Sequence, residues 1–248
     1  MSSSEPPHAA RALASRSWGN RLRSELEASE RFRALALRLR TQASSPLVAD
    51  MAEDSACDEL RHAQLCRELI AHLGGESACE LAASPSRLAP PGIEGREGVL
   101  YEVVALSCVT ETLSTALLAE LVARTRDQVC RGAMHEILRD EVKHSRLGWA
   151  LLAEEHARGV RDCVGRHLPQ MLQDTLGRDF FESQTPLEPC ATELAGLGFL
   201  ERPERQRVVQ ETLEHVIFPG FERFGVDTAL GRRWLAGFDL ASRAADPT

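Results

Sequence analysis

Two short segments of the sequence carry the same pattern of acidic residues and histidine. They read Asp-Glu-Leu-Arg-His at residues 58–62 and Asp-Glu-Val-Lys-His at residues 140–144. Each contains Glu-x-x-His, and in a helix two residues three apart lie on one face, so both can bind the same metal ion. A third Glu-x-x-His, at residues 5–8, contains two prolines, which disfavour a helix. The spacing therefore predicts two ligand pairs, Glu59 with His62 and Glu141 with His144.

Both pairs lie within the apolar stripes of their predicted helices, so they are expected to point into a protein core. Buried carboxylates and imidazoles without partners cost several kcal/mol each. Coordination of a metal would supply those partners. The stripe residues are Met51, Ser55, Cys66, Leu69 and Leu73 around the first pair, and Met134, Ile137, Gly148 and Leu151 around the second.

The third predicted helix offers one further carboxylate to the same centre. Glu111 lies in line with the apolar residue Cys108, whereas Glu102 and Glu120 are predicted to face solvent. Reflection of Glu141 through the helix junction near position 126 also leads to position 111. Two independent criteria therefore select Glu111.

The first predicted helix offers three glutamates near the position that faces Glu59. Its apolar stripe brackets Glu25, whereas Glu30 lies at the edge of the stripe and Glu27 lies outside it. Glu25 is therefore the preferred ligand, and Glu30 is the alternative.

Four carboxylates and two imidazoles on the faces of four helices are typical of a dinuclear iron or manganese centre. Zinc hydrolases usually use fewer carboxylates. The alternative is a set of buried residues paired with arginine, but all six residues meet both the spacing and the facing criteria. Two iron ions are the predicted cofactors, and Mn/Fe or Mn/Mn pairs fit the same ligands. The predicted ligands are Glu25, Glu59, His62, Glu111, Glu141 and His144.

An aspartate precedes the ligand glutamate in both repeated segments. Metal-bound histidine commonly donates its second N–H to a carboxylate. We therefore expect crosswise support, from Asp140 to His62 and from Asp58 to His144. The alternative is that both aspartates are solvated and paired with a neighbouring arginine.

Two cysteines lie one turn from predicted ligands on the same faces. Cys66 follows His62 by four residues, and Cys108 precedes Glu111 by three. They are candidates for groups that surround the ligands, although small buried hydrophobic residues are the simpler interpretation.

The elements that must position these residues are four long helices. Ser45 is predicted to cap the second helix, with Pro46 as its first residue, and the Gly74-Gly75 pair is predicted to end it. A short turn, a long crossover and a second short turn predict an all-α, four-helix bundle of two antiparallel pairs. The predicted helices are 17–40, 46 to about 74, 99–124 and 127–156, with a crossover at 76–98.

The rest of the chain is divided around this bundle. Residues 1–16 are predicted to form a disordered arm, 17–157 the bundle, and 158–248 additional helices packed on it. Within the last segment, helical patterns cover about 160–176, 203–217 and 227–238, and an irregular stretch covers 179–190.

These residues resemble the ferritin-like di-iron carboxylate superfamily. The sequence is most similar to a group of poorly characterised bacterial ferritin-like proteins, through stretches at 25–32, 58–66, 108–112 and 140–149. The resemblance covers about residues 18–157. It implies the fold and the metal ligands, and it independently favours Glu25.

Departures from the superfamily's patterns narrow the activity that the resemblance implies. Tyr101, the single tyrosine, lies ten residues before Glu111, or roughly 15 Å along a helix, too far for a stored tyrosyl radical. The Cys-x-x-Cys module and extra helix carboxylate of rubrerythrin-type peroxidases are absent. The third histidine of p-aminobenzoate-type N-oxygenases would fall at position 137, which is isoleucine. We therefore expect O₂ activation to oxidise a small organic substrate.

Two other functions stay open at this point. One is a ferroxidase-type or non-catalytic iron-binding or redox-sensing protein. The other, less favoured, is a tRNA-hydroxylase-like enzyme. Storage ferritins usually end soon after a short fifth helix, so the long C-terminal segment suggests a lid or a substrate wall.

The composition limits the partners. The chain has 248 residues, a net charge of −8, and 37 acidic against 29 basic residues, which argues against nucleic acid. It has no run of 18 apolar residues and no secretory leader pattern, so neither a membrane nor export is expected. Seven cysteines without Cys-x-x-Cys indicate a reduced, cytoplasmic protein. An external electron donor and a homodimer are compatible with this picture.

Overall fold

The computed structural model describes residues 8–42, 46–76, 87–159, 164–177 and 191–244. Within these ranges every regular element is a helix, and there is no strand. Four long helices form the bundle, and shorter helices follow it along the chain. The all-α fold predicted from the sequence is confirmed.

The first pair of bundle helices is α1 (His8–Thr41) and α2 (Pro46–His72). Helix α1 begins nine residues before the predicted start, and Ala10 and Ala14 are buried, so residues 8–16 are not a disordered arm. Their small side chains permit close packing but give no strong hydrophobic signal in the sequence. Pro46 is the first residue of α2, as predicted, whereas Ser45 lies outside the described residues.

Helix α2 ends at a glycine, as the sequence predicts. Gly74 has a φ of +79°, and its N–H donates to the carbonyl of Ala71 while the Gly75 N–H donates to that of Ile70. This pair of hydrogen bonds is the Schellman arrangement, which requires a left-handed residue that glycine adopts without strain.

The third bundle helix is continuous but not uniform. It consists of α3 (Gly95–Val103), a π-helical segment (Val104–Glu111) and α4 (Thr112–Arg124). By length and mean hydropathy, 1.4 over 18 residues, this helix could cross a membrane, which the count of consecutive apolar residues did not detect. However, 61% of that window is buried inside the bundle, as in the core helix of a folded domain.

The fourth bundle helix is α5 (Gln128–Ala157). Asp127 caps it, because its side chain accepts a hydrogen bond from the Cys130 N–H at 2.9 Å. The same carboxylate lies 3.1 Å from His72 Nε2 at the end of α2. The cap therefore also ties the start of α5 to the end of α2.

Contacts at both ends of the helices establish an antiparallel arrangement within each pair. Arg11 near the start of α1 donates to the His72 carbonyl at the end of α2, and Arg40 near the end of α1 pairs with Asp50 near the start of α2. In the second pair, Arg96 at the start of α3 pairs with a glutamate at the end of α5. Two apolar clusters fill the bundle, one toward each end.

The described residues after the bundle form seven shorter elements. The helix at 168–176 packs against the π-helical segment of the third bundle helix, and the helix at 202–212 packs against α4. A second π-helical segment, at 213–217, joins the helices on either side of it. The predicted irregular stretch at 179–190 lies outside the described residues. The elements are a 3₁₀ turn (Gly165–His167), α6 (Leu168–Leu176), α7 (Ala191–Gly196), α8 (Arg202–Thr212), a π-helical segment (Leu213–Ile217), α9 (Phe218–Arg223) and α10 (Ala229–Ala244).

Candidate metal centre

The six predicted ligands meet at the middle of the bundle, between the two apolar clusters. Each of the six residues is at most 4% exposed. They form two groups of possible ligand atoms, and within each group all atoms lie within 4.8 Å of one another. Glu59 belongs to both. The groups are Glu25, Glu59 and His62, and Glu59, Glu111, Glu141 and His144.

Both histidines turn their Nδ1 atoms toward the carboxylates. His62 Nδ1 lies 3.3 Å from Glu59 Oε2 and 3.6 Å from Glu25 Oε2. His144 Nδ1 lies 2.9 Å from Glu59 Oε1 and 3.4 Å from Glu141 Oε2. The two oxygens of Glu59 therefore face different histidines, which is the geometry expected of a carboxylate that bridges two metal ions.

The predicted choice between the glutamates of α1 agrees with their positions. Glu25 reaches the cluster, whereas Glu27 pairs with Arg31 and Glu30 pairs with Arg33 away from it. Ser29, four residues after Glu25, donates to the Ala56 carbonyl at 2.8 Å and holds α1 against α2 beside the centre.

The π-helical segment ends at Glu111. In such a segment the backbone bonds from i to i+5, which widens the turn and is frequent at functional sites. The wider turn changes the phase of the residues before it, so Glu102 is buried, at 2% exposure, and not solvent-facing as predicted. It pairs with Arg38 and lies outside the cluster.

Close packing of α5 against the π-helical segment fixes the position of that segment. A Cβ atom at Gly148 would lie 2.6 Å from Cys108 Sγ and 2.8 Å from the Cys108 backbone nitrogen. Gly148 therefore permits the close approach of the two helices.

The structure brings each histidine to the aspartate predicted for it. His62 Nε2 lies 3.5 Å from Asp140 Oδ2, and His144 Nε2 lies 3.4 Å from Asp58 Oδ2. The aspartates also pair with cations: Arg61 bridges both of them. Asp140 is fully buried, so the alternative of a solvated acid does not hold for it.

Lys143 completes this outer ring of charge. Its Nζ lies 2.7 Å from Asp140 and 3.6 Å from Asp58. Lys143, Arg139 and Arg61 lower the pKa of Asp140 against the opposing effect of burial, and the hydrogen bond from His144 lowers the pKa of Asp58. Both aspartates are therefore ionised acceptors for the histidine N–H groups.

The two cysteines are buried beside the centre. Cys66 and Cys108 are both 0% exposed, and burial raises the pKa of each thiol well above its usual value. They are neutral groups that pack around the ligands.

Arg21 and Ser114 belong to the site and were not predicted. Arg21 Nε lies 2.5 Å from Glu25 Oε1, and its Nη2 donates to Glu141 Oε1 at 2.7 Å and to Ser114 Oγ at 3.1 Å. Ser114 Oγ in turn donates to Glu141 Oε1 at 3.0 Å. The sequence signal is the i,i+4 spacing of Arg21 and Glu25, which also occurs on ordinary helix surfaces.

Burial divides the carboxylates into two kinds. It raises the pKa of Glu59 to about 8, helped by the Glu25 charge, and together with Glu141 and Glu59 it raises that of Glu111. Burial has the same tendency at Glu25 and Glu141, but Arg21 outweighs it at Glu25, and His144 and Arg21 do so at Glu141. The pKa of both is therefore lowered.

The histidines are strongly basic in the same environment. Burial opposes their protonation, but hydrogen bonds to Glu25 and Glu59 raise the pKa of His62 to about 9. The nearby carboxylates of Asp58, Glu141 and Glu59 raise the pKa of His144 to about 12. Protons thus balance the carboxylates when no metal is bound.

Two atoms of the centre test whether it fits metal ions. Glu141 Oε2 and His144 Nδ1 are buried and, although they lie close to each other and to Glu59, neither makes a well-aligned hydrogen bond within the described part of the chain. Buried polar atoms are almost always paired, and both atoms face the interior of the ligand group. The donor set of carboxylate oxygens and imidazole nitrogens is the one that iron and manganese accept. The residues therefore fit a metal pair.

Comparison with known proteins agrees with this geometry. The sequence profile named Rubrerythrin matches residues 20–152, more than half of the chain. The chain belongs to the rubrerythrin family. The rubrerythrin match includes all six residues of the cluster and ends before α6. It establishes membership in the ferritin-like di-iron superfamily that the sequence resembles.

A solved structure extends the likeness beyond the rubrerythrin domain. It is a protein from Synechococcus described as having aldehyde deformylating oxidase activity, with a TM-score of 0.64 and 17% identity. The alignment covers 92% of this chain and 97% of that chain. At this identity it shows a common fold. No curated protein sequence matches the chain significantly.

Proposed function

We propose that the protein is an O₂-dependent di-iron oxidase or oxygenase that oxidises a small organic molecule. The observation that carries this proposal is the buried cluster of four glutamates and two histidines, arranged as two ligand groups that share Glu59. The Synechococcus protein, which has oxidase activity on the same fold, supports the general class. Manganese in one or both positions is the variant that the same donors accept.

Bound iron ions would supply the reductive activation of O₂, with electrons from an external donor. The protein residues would hold the ions and control their surroundings. Glu25 and His62 would bind one ion, and Glu111, Glu141 and His144 the other, with Glu59 available to both. The apolar clusters on both sides exclude water from the centre.

The helices after the bundle are proposed to form one wall of the substrate site. Helix α6 packs on the π-helical segment, and Thr175 lies 3.2 Å from Thr110, the residue before Glu111. Trp149 of α5 packs against Phe221 of α9, with ring centroids 5.2 Å apart and the ring planes tilted. Substrate specificity would therefore reside in residues that the rubrerythrin match does not cover.

The deciding experiment is anaerobic loading with Fe(II), followed by rapid mixing with O₂ and absorbance detection. We expect two iron ions per chain and an O₂-dependent absorbance transient. A stoichiometry far below two together with no transient would reject the proposal.

Matched variants of one helix connect this result to the cluster. Glu111→Ala should lose at least one metal ion, because it removes a buried ligand. Glu120→Gln is the control, since Glu120 lies on the same helix but pairs with Arg124 near the surface. Full metal retention in Glu111→Ala would contradict the ligand assignment.

One observation favours a second candidate, a ferroxidase-type or non-catalytic iron protein. Cavities of about 550 and 800 Å³ lie beside α4 and beside the N-terminal part of α1, and neither of these two is lined by any of the six ligands. A centre closed to organic molecules would consume O₂ with Fe(II) but leave every organic substrate unchanged. Product analysis after O₂ exposure distinguishes the two functions.

A further inference from the structure

Arg21 uses only one oxygen of each carboxylate that it contacts. It lies 2.5 Å from Oε1 of Glu25 and donates to Oε1 of Glu141 at 2.7 Å. The other oxygen of each carboxylate, Oε2, faces a histidine Nδ1: His62 for Glu25 and His144 for Glu141. Each carboxylate therefore has an outer oxygen on the arginine and an inner oxygen toward the ligand group.

The outer oxygen of Glu141 is fully engaged. It accepts hydrogen bonds from Arg21 and from Ser114 Oγ, at 2.7 and 3.0 Å, which occupies both of its lone pairs. Its inner oxygen is buried, faces His144 Nδ1 at 3.4 Å and makes no well-aligned hydrogen bond with any described residue. The protein thus leaves one oxygen of this carboxylate for a metal and reserves the other.

Arg21 also spans the two ligand groups. Glu25 belongs to the group with His62, and Glu141 belongs to the group with His144. Its planar guanidinium pairs with Glu25 through Nε and donates a hydrogen bond to Glu141 through Nη2, so contact with both carboxylates at once restricts their rotation. Its side chain is 21% exposed, compared with 5% and 1% for the side chains of its two partners. The clamp therefore lies between α1 and α4 and is itself partly exposed to solvent.

We propose that Arg21 is a positioning residue that holds Glu25 and Glu141 in one-oxygen coordination and so keeps coordination positions open on the α1–α4 side of the centre. Without the clamp, either carboxylate could bind a metal through both oxygens and fill that position. The positive charge of Arg21 would also favour an anionic ligand there. This inference rests on the metal centre of the proposed function but not on O₂ chemistry.

The test uses Co²⁺ as the probe metal and azide as a small anionic ligand, without O₂. In Arg21→Gln we expect two Co²⁺ per chain. The visible absorption per ion should be weaker, because a higher coordination number lowers its intensity. The azide affinity should fall about tenfold or more. Arg21→Lys keeps the charge but lacks the fork. It should show the same absorption change with a smaller loss of azide affinity.

Arg31→Gln is the matched control, since Arg31 forms an i,i+4 pair with Glu27 on the same helix outside the cluster. It should behave as the wild type does. Unchanged absorption and azide affinity in both Arg21 variants would overturn the inference, and Arg21→Lys decides alone if Arg21→Gln does not fold. Wild-type protein that binds no Co²⁺ would overturn it together with the metal centre. If the Co²⁺ results are as expected but the iron-loaded wild-type protein does not react with O₂, only the proposed function would be rejected.

Discussion

The bundle buries carboxylates in two regions and stabilises them differently. Near the end formed by α3, Glu102 pairs with Arg38 and Glu155 pairs with Arg96, so each buried acid has a guanidinium of its own. At the centre, the cluster of four glutamates and two histidines is contacted by Arg21, which pairs with two of the glutamates. In the first region the charges of protein residues balance one another. In the second region, bound protons or metal ions are needed to balance the carboxylates. A deficit of cations distinguishes a metal centre from a buried ion pair.

The sharpest way to break this comparison is to neutralise the shared ligand. Glu59→Gln should abolish binding at both positions, a loss greater than the about 100-fold expected for an outer partner. The metal-free variant should unfold at the same or a higher temperature, because Glu59 is a buried acid whose pKa is already raised by burial and Glu25. Metal titration and thermal unfolding measure the two effects. A variant that still binds two ions would refute the bridging role.

Removal of an outer partner should have the next largest effect. Asp140→Ala takes the acceptor from His62 Nε2 and leaves Lys143 and Arg61 without their buried partner. We expect metal affinity to fall about 10- to 100-fold. The control is His135→Ala, because His135 is an exposed residue of the same helix. Unchanged metal content and turnover in Asp140→Ala would count against crosswise support.

A rise in pH should lower the stability of the metal-free protein but raise its affinity for metal. Glu59 and His62 have folded-state pKa values raised to about 8 and about 9, so the folded metal-free protein binds more protons than the unfolded chain above pH 6.5. Its free energy of unfolding should therefore fall as the pH rises from 6.5 to 8. Metal binding displaces these protons, so metal affinity should rise about tenfold per pH unit for each proton displaced.

Thermal unfolding at several pH values, with and without Mn²⁺, measures both trends. The stabilisation by Mn²⁺ should increase with pH, because it depends on the ratio of metal concentration to dissociation constant. Parallel pH dependences with and without metal would show that the ion binds elsewhere than at these residues.

The smallest effect on metal binding should come from the ion-paired region. Glu102→Gln leaves Arg38 with a neutral partner, and we expect a loss of about 1–3 kcal/mol in stability with two metal ions still bound. Denaturant unfolding and metal analysis of the same preparation measure both. Loss of metal in this variant would mean that the two regions are not independent.

The sequence predicts the part of the centre that depends on spacing within one helix. Glu59 with His62 and Glu141 with His144 follow from a three-residue separation, and Glu25 follows from the apolar stripe around it. The early start of α1 was missed because buried alanines such as Ala10 and Ala14 give only a weak hydrophobic signal.

The features that depend on packing between helices were not predictable in the same way. Arg21 has the spacing of a surface ion pair, and its contact with Glu141 arises only when α1 and α5 meet. The burial of Glu102 was missed because a constant 100° per residue does not apply across the π-helical segment. Of the helices after the bundle, α6, α8 and α10 were located, whereas α7 and α9 were not predicted.

The two thiols beside the centre bear on how the protein would resist oxidation during the proposed O₂ chemistry. The reactive form of cysteine is the thiolate, which oxidants convert stepwise to sulfenic and then irreversible acids. Because burial raises the pKa of Cys66 and Cys108, both stay protonated. In the proposed O₂ chemistry, the thiols beside the centre would therefore be in their less reactive, protonated form.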